Sequence, residues 1–153
     1  VECQVFIHKT TGVRKMKTID YTTPQDGQNN VVLIVEGKKL HLSKDYLAVH
    51  SPVFSAMFYG DFAEKNQAKI ELKEVKYEEF VDFLNVIYPT SIEITASTVA
   101  HILQLADIYQ VKCAIDRAES YLIATKKCEP LDKLAFADRY RLDLLMQLIM
   151  RFL

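Results

Sequence analysis

Apolar and polar positions along this chain change period several times, and each change marks an element. Residues 1–7 (VECQVFI) open with alternation and β-branched and aromatic side chains, which predicts a strand. Residues 13–20 alternate only weakly, and residues 21–30 (YTTPQDGQNN) carry the Pro, Gly, Asp and Asn of a linker. Residues 31–36 (VVLIVE) form a continuous apolar run, the pattern of a strand buried on both faces. Gly37-Lys38 permits a tight reversal, after which Lys39-Leu40-His41-Leu42 should pair back as a hairpin with Leu40 and Leu42 facing inward and His41 outward.

Two short helices come next. Ser43 can cap the first, with Tyr46, Leu47 and Val49 on its buried side. Ser51-Pro52 restarts the second, in which Val53, Phe54, Met57 and Phe58 form an apolar stripe that Gly60 ends. Helices this short are unstable alone, so their apolar faces must pack on larger elements. Residues 61–67 (DFAEKNQ) are polar, yet Phe62 stands among them with Glu64 two positions later. Two readings stay open for Phe62: a ring folded back onto the core, or an aromatic anchor offered to a partner beside a carboxylate.

Alternation returns at residues 68–75, with Ile70, Leu72 and Val75 predicting a strand beside the hairpin. Helical spacing takes over at residues 77–88 and Pro89 ends it. Residues 92–94 form a short extended piece, Thr95 is the expected cap of the next helix, and His101 falls on its solvated face. A further helix starts at Lys112, where Ala114 and Ala118 permit close helix contact. From Glu129-Pro130 onward two apolar helical segments follow, broken near Tyr140-Arg141. By themselves these last helices read as a shield over the preceding ones.

Composition narrows the function classes. Half of the 153 residues are apolar, enough to bury a core without staples. With 19 Lys and Arg against 20 Asp and Glu, the formal net charge is −1, so no global field recruits nucleic acid or an anionic membrane. No apolar run approaches the ~20 residues that span a bilayer, and the N-terminus lacks a signal-peptide layout. Cys3, Cys113 and Cys128 are odd in number and widely spaced, unlike a disulfide framework or a zinc ligand set, so reduced thiols in the cytoplasm or nucleus are expected. Glu78, Glu79 and Asp82 resemble paired acids but sit in the first half of a helix, where carboxylates favour the dipole. No Gly-rich phosphate loop, His-Cys ligand cluster or G-x-S-x-G is present. The expectation is a non-enzymatic interaction module without cofactor or metal, and a chain that opens on Val1 is expected to be part of something longer.

The run LAVHSPVFSAMFYGDFAEK resembles the central signature of BTB/POZ domains, most closely those of MATH-BTB proteins, and FVDFLNVIYP, ITASTVAHILQLADIYQV and AESYLI resemble the later helical segments of that family in its order. The resemblance implies an α+β fold: a small, mainly three-stranded sheet flanked by about five helices, plus a C-terminal helical pair. It divides the chain into an N-terminal extension and linker over residues 1–28 (the possible end of an upstream MATH-like domain), a BTB/POZ domain over 29–126 and a three-box or BACK-like extension over 127–153. In BTB adaptors of cullin-RING ubiquitin ligases, a hydrophobic-x-Glu motif after the second short helix grips the cullin, and Phe62-Ala63-Glu64 falls on it in register. The implied cullin-binding residues are Phe62, Ala63, Glu64, Tyr59 and Tyr109. The implied dimer interface uses Tyr46, Leu47 and Lys44. The expected partners are a cullin scaffold of the BTB-specific class, a second copy of the chain, and a protein substrate brought through another domain. The alternative is a BTB dimerisation scaffold or corepressor-type module without cullin binding. In the corepressor class an acid before the first strand and a basic residue at the start of the first helix line a charged pocket. The matching positions are Asn30 and Lys44, so the acid is missing.

Overall fold

The computed structural model describes residues 18–24, 30–61 and 67–152. The strand expected over residues 1–7 and most of the weak one over 13–20 lie outside that range. Among the described residues a three-stranded sheet is surrounded by helices. The elements run β1 (Asn30–Val35), β2 (Lys38–Ser43), α1 (Lys44–His50), α2 (Pro52–Tyr59), β3 (Lys69–Leu72), α3 (Tyr77–Ile87), α4 (Val99–Ile108), α5 (Lys112–Ala124), α6 (Pro130–Tyr140) and α7 (Asp143–Arg151). The architecture is α+β, as the sequence implies.

The sheet order is β2-β1-β3, with β2 antiparallel to β1 and β3 parallel to it. Register puts Leu33 beside both Leu40 and Ile70, and Val31 beside Leu42, so one face carries a continuous apolar surface. The expectation that β1 is buried on both faces needs correction. Val31, Leu33 and Val35 are fully buried, while Val32 and Ile34 are only half-buried, because the helices cover one side of this sheet more completely. The hairpin turns at Glu36-Gly37, one residue earlier than predicted. Both have positive φ, +49° and +76°, the two-residue reversal whose twist matches the strands. Glu36 serves a second purpose: its carboxylate accepts the Tyr77 N–H at 2.9 Å, capping α3, whose own N-cap residue, Lys76, makes no side-chain bond.

Residue 21 is no part of a free linker. The Tyr21 ring is buried, its hydroxyl donates to Asn85 Oδ1 at 3.0 Å, and its carbonyl accepts the His41 N–H at 2.7 Å. Burial raises the Tyr21 hydroxyl pKa and pushes that of Tyr88, its edge-on neighbour at 5.5 Å, up to about 12. The α3 helix ends inside the protein, where its last carbonyls cannot reach water. The helix's own C-cap, the Tyr88 N–H, reaches Leu84 at 2.8 Å, and other segments supply the remaining donors: Thr90 Oγ1 to Asn85 at 2.6 Å, Arg117 to Val86 at 2.5 Å and the Tyr46 hydroxyl to Ile87 at 3.0 Å.

Further on, α4 starts at Val99, not at Thr95. Thr95 and Thr98 satisfy each other first: the Thr95 N–H donates to Thr98 Oγ1 at 2.9 Å, and this turn precedes the helix. His101 is not on a solvated face; its ring is largely covered and lies 2.9 Å from the Asp82 carboxylate across the α3–α4 contact. Ala114 and Ala118 are fully buried where α5 meets its neighbours. The break between α6 and α7 falls at Arg141, which takes a left-handed φ of +54°. The buried Glu119 on α5 then accepts the Leu145 N–H of α7 at 3.0 Å, so the last helix is held by a cap from another element.

Candidate protein-docking site

The α1–α2 corner is built around two serines with unequal tasks. Ser43 Oγ accepts the Tyr46 N–H at 3.3 Å, a long cap bond. Ser51 is buried, accepts the Phe54 N–H at 3.0 Å and donates its own proton to the Tyr109 carbonyl at 2.5 Å. One hydroxyl therefore starts α2 and ties it to the end of α4. With Pro52 at the first helical position, α2 runs to Tyr59 and directs Phe54 and Phe58 inward. The Phe54 ring stacks on Tyr109 at 4.5 Å with 8° between planes, and Phe58, Phe80 and Phe83 surround the pair.

That packing decides where the candidate residues can act. Tyr109, expected among the cullin contacts, keeps only 6% of its surface and supports the corner from below, and burial raises its hydroxyl pKa. Leu47, expected at the dimer seam, is fully enclosed and has no side-chain surface to give a partner. Tyr46 is half-buried, its ring 4.6 Å from Tyr88 and 4.8 Å from His50, and Lys44 is half-exposed at the start of α1. Val49, expected on the buried side, is 81% exposed. A helix of 7 residues presents a narrow buried stripe, and Leu47 takes that position.

On the outer side Tyr59 is 45% exposed, and its hydroxyl donates to the carboxylate of Asp45 on α1. Sequence reasoning missed Asp45. It lies 14 positions from Tyr59 on a different helix, beyond the Ser51 break, so no periodicity within one element relates the two. The C-cap of α2 is Gly60, in extended conformation, and a Cβ there would collide with the Ala56 carbonyl oxygen. Glycine is required by close approach here, whereas the expected reason was a left-handed stop. The chain then passes exposed Asp61. Phe62, Ala63 and Glu64 lie outside the described residues.

A second surface lies at the far end. Between α5, α6 and α7 an apolar groove of about 430 Å³ is lined by residues that include Ile123, Leu145, Leu148, Ile149 and Phe152. Its one charged wall, Lys133, donates to the Thr125 carbonyl at 2.6 Å. Leu131, Leu144, Met150 and Phe152 stay exposed on this helical pair. Among the described residues no His, Cys, Asp and Glu group could hold a metal ion. Cys113 and Cys128 are free thiols; burial raises the Cys113 pKa, and its sulfur lies 3.8 Å from His50 Nδ1.

Comparison with known proteins agrees with this architecture. The family model described as the BTB/POZ domain matches residues 24–126. The chain is similar to BTB and MATH domain-containing protein 36 of Caenorhabditis elegans, 41% identical over 94% of this chain and 45% of that protein. It is 35% identical to BTB and MATH domain-containing protein 38 of the same organism, over 99% of this chain and 39% of that protein. The chain thus spans less than half the length of these two relatives. Among solved structures, the BTB domain of zebrafish PATZ1 matches with a TM-score of 0.52 at 18% identity, covering 62% of this chain and 75% of that one.

Proposed function

Since the chain belongs to the BTB/POZ domain family, a family of protein-interaction modules, we propose that it acts as an adaptor that recruits a cullin scaffold into an E3 ubiquitin ligase while another domain of the full protein brings the substrate. The observation that carries this is the exposed corner at the end of α2. Tyr59 and Asp61 face solvent there, Gly60 turns the chain sharply, and the residues that follow are the hydrophobic-x-Glu triplet Phe62-Ala63-Glu64. In this reading Phe62 enters an apolar pocket of the cullin, Glu64 accepts hydrogen bonds at its rim and Tyr59 adds an aromatic contact. Tyr109 and Leu47 contribute by holding the corner rigid. The groove between α5, α6 and α7 is the surface that the C-terminal helical pair would add. The upstream domain would be MATH-like, as in the relatives named for that pair of domains.

Truncating a central aromatic anchor costs about 2 kcal/mol or more. Phe62→Ala is therefore expected to weaken binding to a cullin N-terminal domain by about thirtyfold in titration calorimetry, with the circular dichroism spectrum unchanged. Equal affinity in wild type and variant removes the mechanism.

Self-association is the second reading, favoured by Val49, whose apolar side chain stands in solvent on α1 between the candidate seam residues Tyr46 and Lys44 and the start of α2. It predicts a mass that rises toward twice the chain mass across a light-scattering concentration series. A constant monomeric mass rules it out, and leaves the cullin reading in place.

A further inference from the structure

We infer that Asp45 is a positioning residue for the docking corner: it holds the Tyr59 ring in one orientation at the exposed end of α2. The inference rests on the docking role proposed above. Asp45 stands in the first turn of α1 and Tyr59 is the last residue of α2. Both side chains are exposed, yet the Tyr59 hydroxyl donates to the Asp45 carboxylate. An exposed hydrogen bond exchanges for water at little net gain, so the fold does not depend on it. The two helices are already joined at Ser51, whose N–H donates to the Leu47 carbonyl of α1 and whose hydroxyl accepts the Phe54 N–H of α2, and by buried Leu47, Phe54 and Phe58.

What the bond does select is a conformation. A half-exposed ring at a helix end otherwise samples several staggered rotamers, and a partner that needs one of them must freeze the rest on binding. With its hydroxyl tied to Asp45, the Tyr59 ring lies along the α1–α2 corner before any partner arrives. The next residue is Gly60, pressed so closely on the Ala56 carbonyl that no side chain fits. The tied ring and the close Gly60–Ala56 approach together fix the geometry of the α2 end at Tyr59 and Gly60.

The test is a double-mutant cycle on the intact chain against a cullin N-terminal domain, with Asp45→Ala, Tyr59→Phe, the double variant and Asp45→Asn, each also checked by thermal melting. Asp45→Ala and Tyr59→Phe should each weaken binding about three- to tenfold, the range for one side chain left to be ordered on association. The double variant should be no weaker than the weaker single one. Asp45→Asn, which keeps an acceptor oxygen, should restore most of the affinity. Melting midpoints should match wild type throughout, which separates positioning from stability. Wild-type affinity in Asp45→Ala, multiplied losses in the double variant, or failure of Asp45→Asn to rescue each overturns the inference. Should the wild type not bind, or Phe62→Ala bind equally, the docking role falls and this inference with it. Should Phe62→Ala lose affinity while Asp45→Ala does not, this inference alone falls.

Discussion

Phe54→Ala should lower the unfolding free energy by about 3–5 kcal/mol, the cost of removing a buried aromatic ring together with the cavity left behind. Phe54 has no exposed surface and stacks on Tyr109 at 4.5 Å and on Phe58 at 5.7 Å. Its neighbours cannot close the gap easily. Tyr109 is held in turn by Phe80 and Phe83 at 6.0 and 5.9 Å, and Ser51 fixes the Tyr109 carbonyl. Small domains are stable by only about 5–15 kcal/mol, so one substitution removes a large share of the total. Urea denaturation followed by circular dichroism measures it, with Val49→Ala as the control. Val49 is 81% exposed and should change stability by no more than about 0.5 kcal/mol. A loss at Phe54 below about 1 kcal/mol would mean that the ring stack does not hold α2 against α4.

Ser51→Ala is expected to cost about 2–4 kcal/mol, because one hydroxyl has two partners. The lost N-cap contributes about 0.5–2 kcal/mol and the carbonyl left unpaired about 1–3 kcal/mol. Ser51 is enclosed, so water cannot substitute at either place. Ser43→Ala separates the two contributions: Ser43 also caps a helix, at a longer 3.3 Å, without bridging to a distant carbonyl, and should cost about 1 kcal/mol. The same denaturation series compares them, and equal losses would show that the Ser51–Tyr109 bond adds nothing.

The role of Ser51 shows how much of this corner was legible in the chain. A serine followed by proline before an apolar stripe marks a helix start through local chemistry, so the cap was readable. The bond to Tyr109 joins positions 58 apart and was not. The same division runs through the fold. Periodicity placed β2 and α2 because each buries one face, and α3 through its first turns although its end is enclosed on all sides, and the break at Arg141 was readable because helical spacing lapses there. It failed at Val49, where a single turn offers too few positions to define a face, and at Thr95, whose N–H is taken by the Thr98 hydroxyl before the helix begins. The resemblance of the central run to BTB/POZ domains identified the family correctly. It also nominated Leu47 and Tyr109 for contact surfaces, and both turned out to be enclosed, because a motif records which residues recur and not which side of each is covered.

By itself the sequence determined what depends on neighbours along the chain: element types and most boundaries, the apolar stripes, the caps at Ser43 and Ser51, and the place of Phe62-Ala63-Glu64 directly after α2. Only the tertiary structure decided what depends on contacts between distant segments. These are the burial of Tyr21 against Asn85, the donors from α1, α5 and the Thr90 loop that satisfy the end of α3, the Glu119 cap on α7 and the pairing of Asp45 with Tyr59. The physical reason is one of range. Backbone propensity and capping act within a few residues, whereas a buried polar group must find its partner wherever folding brings one within about 3 Å.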